Sequence, residues 1–475
     1  MTGALARLLQ TALARTPSSI AGGEEPVLCA DNLQSTAQTI AQALMAFNIT
    51  PSEPVLCQIA NRPRDLAALL GIWLAGGVAV PVHAAAAEAS VLGIRRATGA
   101  RLRVLGTHVD EMSRAAAPVH ALLHDAALIV FTSGSTGKPK GVVLGHERLA
   151  GKLQVLDRLL KLAADDIVVV PLRLTFIFGI WVSLLTILSG AHLVLVPKFT
   201  AAGLAGKLTD GASVVAVVPT MLRALLADTQ APTAPRLRTL LSGGETLGSR
   251  LGLATREAFP HTQIHDLYGL TETGSCDFCL PPTEFGAGLG SIGRPTSQVE
   301  YRIVDANGRP VTSGTAGELC IKTPFGMLGY LDGPNLAAGS DRDGYLHTGD
   351  QARLRPDGRV EIVGRLKDII ARGGNKIAAA EIDALLARHP QVTGALCAGV
   401  PDGRLGEAIH AIVALVPGSR LTPQELRHWA AGQTEKFKVP DVIYIRNALP
   451  TGRTGKLNRA AVARLARAAR KSGRR

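Results

Sequence analysis

The sequence predicts an α/β protein with a large N-terminal α/β domain of several subdomains and a small α+β C-terminal domain. Segments with helix and strand patterns alternate along most of the chain, which is typical of parallel strands joined by crossover helices. The chain has 475 residues, too many for one ordinary hydrophobic core. Hydrophobic residues make up 47% of it and charged residues 19%, so the composition is that of a globular protein.

The first elements follow one another in a helix–strand order. Within residues 59–81, an Asn-Arg-Pro start and a Gly76-Gly77 stop bound a helical run of Ala and Leu, and a strand follows at 78–81. Residues 191–196 and 214–218 are predicted to be buried strands, the second leading into a helix at 220–227. These alternations support parallel sheets covered by helices.

The pattern of the sequence changes in the last third of the chain. From about Ser291, Gly, Pro and Asp punctuate short strands, such as 300–304 and 318–322. A smaller unit then contains predicted helices at 379–387 and 423–432 and strands at 395–400 and 411–416. We therefore expect one domain over residues 1–366 and a second over residues 367–475.

Residues 174–197 contain no Lys, Arg, Asp or Glu and are long enough to cross a bilayer. Ser189-Gly190-Ala191-His192 interrupts this run with turn residues. A buried helix, a turn and a core strand are therefore predicted, and no membrane span.

The formal net charge of +13 is concentrated at the C-terminus, where residues 451–475 hold nine Lys and Arg and no acidic residue. This pattern is typical of a solvated helix and tail, and no nucleic-acid-binding motif accompanies it. The six scattered cysteines and an N-terminus unlike a signal peptide predict a cytoplasmic protein with reduced thiols. Cys276 and Cys279 have the spacing of a redox or zinc pair but lack a second pair nearby, so we expect them to be packing residues.

The run from Phe131 to Gly141 combines three glycines with hydroxyl side chains and two lysines, directly after an apolar strand at 126–130. Glycines let backbone N–H groups approach a ligand, and the hydroxyl and ammonium groups add donors and positive charge. The run predicts a polyphosphate-binding loop. It differs from the common P-loop, because Pro139 follows Lys138.

This loop resembles the phosphate loop of the adenylate-forming (AMP-binding) superfamily, of the acyl-CoA synthetase and adenylation-domain type. Six further motifs of that family follow in the family's order. They are Ser-Gly-Gly-Glu at 242–245, Tyr-Gly-Leu-Thr-Glu-Thr at 268–273, Gly-Glu-Leu at 317–319, His-Thr-Gly-Asp at 347–350, Gly-Arg-Leu-Lys-Asp at 364–368 and Gly-Lys at 455–456.

The resemblance implies a nucleotide site for ATP and Mg²⁺. Glu272 would hold Mg²⁺ and Thr271 would contact the α-phosphate. Tyr268 would stack on adenine, Asp266 would accept its amine, and Asp350 and Arg365 would contact the ribose. The remaining cofactor-binding residues are the loop residues Thr132, Ser133, Ser135, Thr136, Lys138 and Lys140, together with Gly244.

The resemblance also implies a moving C-terminal domain. Lys456 would be the catalytic lysine that stabilises negative charge on the carboxylate and the α-phosphate, although Gly452 stands where relatives have threonine. Lys367 would be the hinge about which the small domain rotates after adenylation. Gly373 and Gly374 would then leave a channel for the pantetheine thiol.

The acid pocket is predicted to be apolar. Adenylation domains for α-amino acids carry an Asp where this chain has Ile177, and an unpaired ammonium group there would cost several kcal/mol of desolvation. An aromatic or short-to-medium aliphatic acid is therefore favoured. The predicted pocket residues are Phe176, Ile177, Phe178, Trp181, Met221, Gly243 and Leu270.

The predicted function is that of an ATP-dependent acid–thiol ligase, which forms an acyl adenylate and transfers the acyl group to CoA. One alternative makes the same adenylate but loads the phosphopantetheine of a carrier protein. An alternative of another class is a nucleotide-binding protein without catalysis, which the presence of Lys138, Glu272, Asp350 and Lys456 disfavours. The sequence does not identify the acid or the oligomeric state.

Overall fold

The computed structural model describes residues 3–16, 18–23, 25–113, 120–133, 139–227, 232–331, 340–452 and 457–471. The helices in these ranges are α1 (Ala4–Leu13), α2 (Ala30–Ala46), α3 (Pro63–Leu74), α4 (Glu88–Thr98), α5 (His146–Leu160), α6 (Ile177–Leu188), α7 (Ala201–Thr209), α8 (Pro219–Leu226), α9 (Ser249–Ala258), α10 (Phe285–Gly288), α11 (Ala379–Ala387), α12 (Pro423–Ala431) and α13 (Ala460–Lys471).

The strands fall into two groups along the chain. The first thirteen are β1 (Ser19–Gly22), β2 (Glu25–Cys29), β3 (Pro54–Ile59), β4 (Val78–His83), β5 (Leu102–Leu105), β6 (His108–Glu111), β7 (Ala126–Ser133), β8 (Pro139–Gly145), β9 (Ile167–Val170), β10 (His192–Leu195), β11 (Val214–Val217), β12 (Thr239–Gly243) and β13 (Gln263–Tyr268). The others are β14 (Phe278–Leu280), β15 (Arg294–Pro295), β16 (Glu300–Val304), β17 (Gly317–Lys322), β18 (Gly329–Tyr330), β19 (Leu346–Leu354), β20 (Val360–Arg365), β21 (Ile369–Arg372), β22 (Asn375–Ala378), β23 (Val392–Asp402), β24 (Gly406–Leu415) and β25 (Val442–Arg446).

Two large sheets form the N-terminal part. One has the strand order β15-β14-β13-β12-β11-β9-β10-β1-β2, and the other has the order β18-β8-β7-β4-β3-β5-β6. Their central strands are parallel, and antiparallel strands lie at the edges. The largest hydrophobic cluster joins both sheets through buried residues of α1, α2, α3, α5 and α6. These helices therefore form a layer between the two sheets.

Two smaller sheets follow. An antiparallel sheet of β16, β17, β19 and β20 has its own apolar cluster with Phe278 and Ile292. The last sheet contains β21 to β25, and α11 and α12 cover it with a separate core that includes Ile382 and Leu426. The predicted fold class, a large N-terminal α/β domain and a small C-terminal domain, is confirmed.

Most predicted elements are present near their expected bounds. The apolar run that could have spanned a membrane is α6, a turn and β10, and no described helix has both the length and the apolar character needed to cross a bilayer. Ten of the twelve residues of α6 are buried. The run is uncharged because the helix lies between two sheets.

Two buried histidines are expected to make the folded protein less stable in acid. Burial lowers the pKa of His146 and of His265 to about 4, with smaller contributions from Arg7 and Arg238 respectively. A histidine whose pKa is lower in the folded state than in the unfolded state favours the fold at pH values above its unfolded pKa, near 6.5. This contribution is lost as the pH falls towards 4. Burial raises the pKa of Asp65 to about 6, which favours the fold at acid pH and partly offsets the loss.

We expect each histidine to cost about 2 kcal/mol of stability between pH 7 and pH 5. His146→Phe should therefore flatten the pH dependence of the unfolding midpoint, and the double variant with His265→Phe should flatten it further. Urea unfolding at the two pH values measures this. A double variant as acid-sensitive as the parent would contradict the assignment.

Candidate functional site

Most of the predicted acid pocket lies at one edge of the nine-stranded sheet. The parallel strands β9, β11, β12 and β13 end there, and ligands of parallel sheets bind beyond the carboxyl ends of the strands. The predicted residues lie at the end of one of these strands or in the segment and helix that follow it. They are Phe176, Ile177, Phe178 and Trp181 after β9, Met221 after β11, Gly243 at the end of β12 and Leu270 after β13.

An aromatic pair lines this edge. The ring centroids of Phe178 and Trp181 are 5.3 Å apart, and the indole N–H of Trp181 donates to the Ser275 hydroxyl over 3.2 Å. A Cβ atom on Gly243 would lie 3.3 Å from Phe178 and 3.0 Å from the Leu267 carbonyl oxygen. A side chain at this position would therefore crowd the Leu267 carbonyl oxygen and the Phe178 ring.

The other residues of the predicted pocket differ in how deeply they are buried. Ile177 is buried in the large hydrophobic cluster, and Phe178 and Met221 pack against that cluster. Phe176 and Leu270 are half-buried. No charged side chain occupies any of the seven predicted positions, so their lining is apolar.

A second group gathers around Asp350. The Tyr268 hydroxyl donates to Asp350 Oδ2 over 2.7 Å, and Arg365 Nε lies 2.9 Å from Oδ1. That nitrogen is not aligned for a hydrogen bond, and Oδ1 is buried without a hydrogen-bond donor among the described residues. Burial, and then the Asp350 charge, raise the pKa of Tyr268. The tyrosine therefore stays a neutral donor, and one carboxylate oxygen remains to accept a hydrogen bond.

Asp266 lies two residues before Tyr268 on β13 and therefore on the same face of the strand. It is buried, and desolvation raises the pKa of its carboxyl well above the usual value. Gly244 follows β12 with a left-handed backbone, at φ +83°.

The predicted phosphate loop falls between two antiparallel strands. Thr132 and Ser133 end β7 and pair with Lys140 and Pro139 of β8. Residues 134–138 lie outside the described part of the chain, and with them Ser135, Thr136 and Lys138.

Lys140 and Glu272 are brought together by a residue that the sequence did not single out. The Lys140 ammonium lies 4.8 Å from the ring centre of Tyr330, and the Tyr330 hydroxyl donates to Glu272 Oε1 over 3.1 Å. Tyr330 belongs to β18, which pairs with β8. No local sequence signal marks this tyrosine, since only the pairing of strands distant in sequence places it there.

The turn that carries Thr271 and Glu272 is anchored to a buried ion pair. The Thr273 hydroxyl donates to Asp277 Oδ2. The Lys152 ammonium donates to the Cys276 carbonyl oxygen over 2.8 Å and lies 3.4 Å from Asp277 Oδ1. Lys152 is 1% exposed and Asp277 0%, and burial raises the pKa of Asp277. Cys276 and Cys279 are buried free thiols beside this pair, as expected for packing residues.

The predicted hinge residue joins the two smaller sheets, and the predicted thiol residues belong to the last sheet. Lys367 is exposed in a short 3-10 turn that joins β20 to β21. Gly373 and Gly374 form the two-residue turn of the β21–β22 hairpin, with φ of +54° and +82°. Added Cβ atoms would meet no close neighbour, so the turn conformation alone explains the glycines here.

Lys456 belongs to residues 453–456, outside the described ranges. The residues on either side are bridged to each other, Thr451 to Leu457, and the Asn458 N–H donates to the Pro450 carbonyl oxygen over 2.8 Å. Arg459 then reaches Asp383 Oδ2 over 2.6 Å and lies 3.4 Å from Asp368, the residue after Lys367. The segment that follows Lys456 is thus tied to the predicted hinge.

Residues 10–122 and 106–331 match the AMP-binding enzyme family, and residues 381–456 match the AMP-binding enzyme C-terminal domain. The chain belongs to the AMP-binding enzyme family. It is 30% identical to the fatty acid–[acyl-carrier-protein] ligase ScoC of Streptomyces coeruleorubidus, over 94% of this chain and 92% of that protein. It is 32% identical to feruloyl-CoA synthase of an Amycolatopsis species, over 90% and 91% of the two chains.

The crystal structure of ATP-bound MatB from Rhodopseudomonas palustris has the same fold. It aligns with a TM-score of 0.86 and 22% identity, over 99% of this chain and all of that one. The predicted family and the predicted enzyme class, an AMP-forming acid–thiol ligase, are confirmed by these relatives within the AMP-binding family.

Proposed function

We propose that the protein uses ATP and Mg²⁺ to activate an apolar aromatic or short-to-medium aliphatic acid as an acyl adenylate, and then transfers the acyl group to CoA. The observation that carries this proposal is the buried Asp350 Oδ1, which is paired with Arg365 but accepts no hydrogen bond from any described residue. A buried acceptor without a hydrogen bond is costly even beside a cation, and a ribose hydroxyl would donate one to it.

Adenylation is an attack of a carboxylate on the α-phosphorus of ATP, with pyrophosphate as the leaving group. It requires positioning and neutralisation of charge more than it requires a base. In our proposal, Thr132, Ser133, Lys140 and the loop at 134–138 hold the β- and γ-phosphates. Glu272, held by Tyr330, would bind Mg²⁺, which neutralises phosphate charge when present.

The remaining predicted roles complete the proposal. Thr271 contacts the α-phosphate, Tyr268 stacks on adenine, and Asp266 contacts the adenine amine. Lys456 stabilises charge on the reacting groups. We further propose a domain boundary at 366/367, rotation about Lys367 and thiol entry past Gly373 and Gly374, while a cytoplasmic location stays a prediction.

The acid class rests on the lining of the pocket. Phe178 and Trp181 offer aromatic faces, and Ile177 gives no carboxylate to pair with an ammonium group. Flat aromatic or short aliphatic acids fit such a lining, and α-amino acids do not.

The experiment is acid-dependent pyrophosphate release from ATP across aromatic, aliphatic and amino acids, with and without CoA. Turnover with an apolar acid that requires CoA and yields acyl-CoA supports the proposal. Activity confined to α-amino acids would overturn the proposed acid class, and the absence of acid-dependent release with every acid would contradict the function.

Asp350→Ala should raise the KM for ATP by about 10- to 100-fold, because it removes a buried acceptor of hydrogen bonds. The matched control is Glu361→Ala, which removes a more exposed carboxylate from the neighbouring strand and should change the KM by less than about twofold. Steady-state kinetics at saturating acid measure both. An unchanged KM in Asp350→Ala would contradict the ribose assignment.

A carrier protein is the second candidate acceptor, and a charge asymmetry favours it. Residues 367–475 hold 19 Lys and Arg against 8 Asp and Glu, which places +11 of the net charge of +13 in that segment. Arg464 and Arg467 are exposed on α13, whose buried side packs on the last sheet through Val462 and Ala466. An acidic carrier protein would be attracted to this face.

Reversing both charges with Arg464→Glu and Arg467→Glu should slow the loading of an acidic phosphopantetheinylated carrier protein by about tenfold at low salt. Turnover with CoA should change little, because the proposed thiol channel is formed by Gly373 and Gly374 and not by α13. Carrier loading by the variant at the parent rate would exclude this face as the docking surface.

A further inference from the structure

Three side chains of the types that can ligate a metal ion lie together on the four-stranded sheet and have no part in the proposed reaction. Among the described residues, the ligand atoms of Glu318, Cys320 and His347 all lie within 4.8 Å of one another. Glu318 and Cys320 are two residues apart on β17, and His347 of β19 is the direct cross-strand partner of Cys320. The three side chains therefore share one face of the sheet.

The distance between two of the three ligand atoms is the one expected around a tetrahedral zinc ion. Zinc bonds of about 2.3 Å to sulfur and about 2.1 Å to nitrogen place these atoms about 3.6 Å apart. The observed distance from Cys320 Sγ to His347 Nδ1 is 3.6 Å. Glu318 Oε2 lies closer to Nδ1, at 2.8 Å, where a hydrogen bond now joins them. His347 is 39% exposed, so its ring has room to move the half ångström that a shared ion requires.

The surrounding charges favour a cation. Asp341 Oδ2 lies 3.7 Å from the other ring nitrogen of His347, in the place of the outer carboxylate that often orients a metal-bound histidine. Glu318, Asp341 and Asp343 bring three negative charges, and Arg302, which pairs with both aspartates, brings one positive charge. The local charge is negative before any ion binds.

We propose that Glu318, Cys320 and His347 bind Zn²⁺, with a fourth position left to water. The sulfur and imidazole donors select a borderline-soft ion, whereas the Mg²⁺ used with ATP prefers oxygen ligands alone. The site is separate from Glu272. His347 lies on the same strand as Asp350. Glu318 also accepts a hydrogen bond from the Gly349 N–H, over 3.0 Å through Oε1. Zinc would thus brace the strand that carries the proposed ribose ligand.

The test uses the full chain, reduced and freed of metal, without ATP or acid, so it is independent of the proposed function. Titration with Co²⁺ should produce a thiolate-to-cobalt absorption band that saturates at one equivalent. Zn²⁺ should remove the band and Mg²⁺ should not. Failure to form the band, or its removal by Mg²⁺, would overturn the proposal.

Variants identify the ligands. Cys320→Ser should abolish the band, and Asp341→Asn should weaken Zn²⁺ affinity by about tenfold, measured against a competing chelator. Cys29→Ser is the matched control, because Cys29 is the exposed thiol, and it should keep the band. A band that survives Cys320→Ser and disappears in Cys29→Ser would mean adventitious binding only.

A second measurement tests the site even if the Cys320→Ser variant does not fold. Zn²⁺ should raise the melting temperature of the parent. His347→Gln, which keeps the buried cysteine, should bind Zn²⁺ at least about tenfold more weakly and show a smaller rise. Equal rises in the parent and in His347→Gln would contradict the site.

Discussion

Lys456→Ala is expected to slow acid-dependent pyrophosphate release by about 10²- to 10³-fold, the usual cost of removing one group that stabilises developing charge. Negative charge gathers on the α-phosphate and the carboxylate oxygen in the adenylation transition state. A lysine at this point neutralises it without adding to ground-state binding of ATP. The effect should therefore appear in kcat, and the KM for ATP should change little.

The surroundings of this residue support the assignment. The bridge between Thr451 and Leu457 closes the segment, and Arg459 ties the residues after it to Asp383 and Asp368. The described residues before and after 453–456 are therefore anchored. A lysine in a frayed tail would have no such anchor.

The measurement compares two half-reactions. Pyrophosphate release reports adenylation, and conversion of supplied acyl adenylate to acyl-CoA reports transfer, which should be far less affected. Lys471→Ala removes a lysine from the same basic terminal segment and should behave like the parent. If Lys456→Ala forms adenylate at the parent rate, the assignment is wrong.

Lys152→Met is expected to destabilise the protein by about 3–5 kcal/mol, because it leaves Asp277 buried without its cation. The lysine is 1% exposed and the aspartate 0%, so water does not replace the lost partner. The raised pKa of Asp277 gives the sign of the pH effect. A raised carboxyl pKa stabilises the fold at low pH and loses that contribution as the pH rises, so the defect should shrink on acidification.

Unfolding midpoints of the parent and Lys152→Met at pH 7.5 and pH 5 test this. Adding Asp277→Asn should recover part of the loss, since it removes the unpaired charge and keeps an acceptor for the Thr273 hydroxyl. Lys207→Met is the matched control in an exposed pair with Asp210 and should cost less than about 0.5 kcal/mol. A Lys152→Met midpoint equal to that of this control would contradict the role of the buried pair.

Sequence patterns predicted the elements that depend on local information. The helix at Ala379–Ala387 and the strand at Glu300–Val304 have the expected bounds, because caps, turn residues and side-chain periodicity are local signals. Asp350 and Tyr268 were predicted together from motifs, and the structure joins them by a hydrogen bond. Their functional roles stay predictions until the kinetic tests are made.

Contacts between distant segments were not predictable in this way. Tyr330 has no motif, and it reaches Glu272 because β18 pairs with β8. A lysine usually lies on the solvent-exposed face of a helix, yet Lys152 is buried against Asp277, 125 residues later in the sequence. The group of Glu318, Cys320 and His347 likewise depends on the cross-strand pairing of Cys320 with His347.

The sequence by itself determined the family, the fold class and the chemical types of the site residues, since these depend on residue identity and order along the chain. Only the tertiary structure decided which side chains share a space. Strand pairing and helix packing set those distances. They leave a buried carboxylate oxygen of Asp350 without a hydrogen bond from the described part of the chain, and they make Lys152 a buried counter-ion. Burial is a property of the whole packed chain, and burial determines which polar groups need a partner.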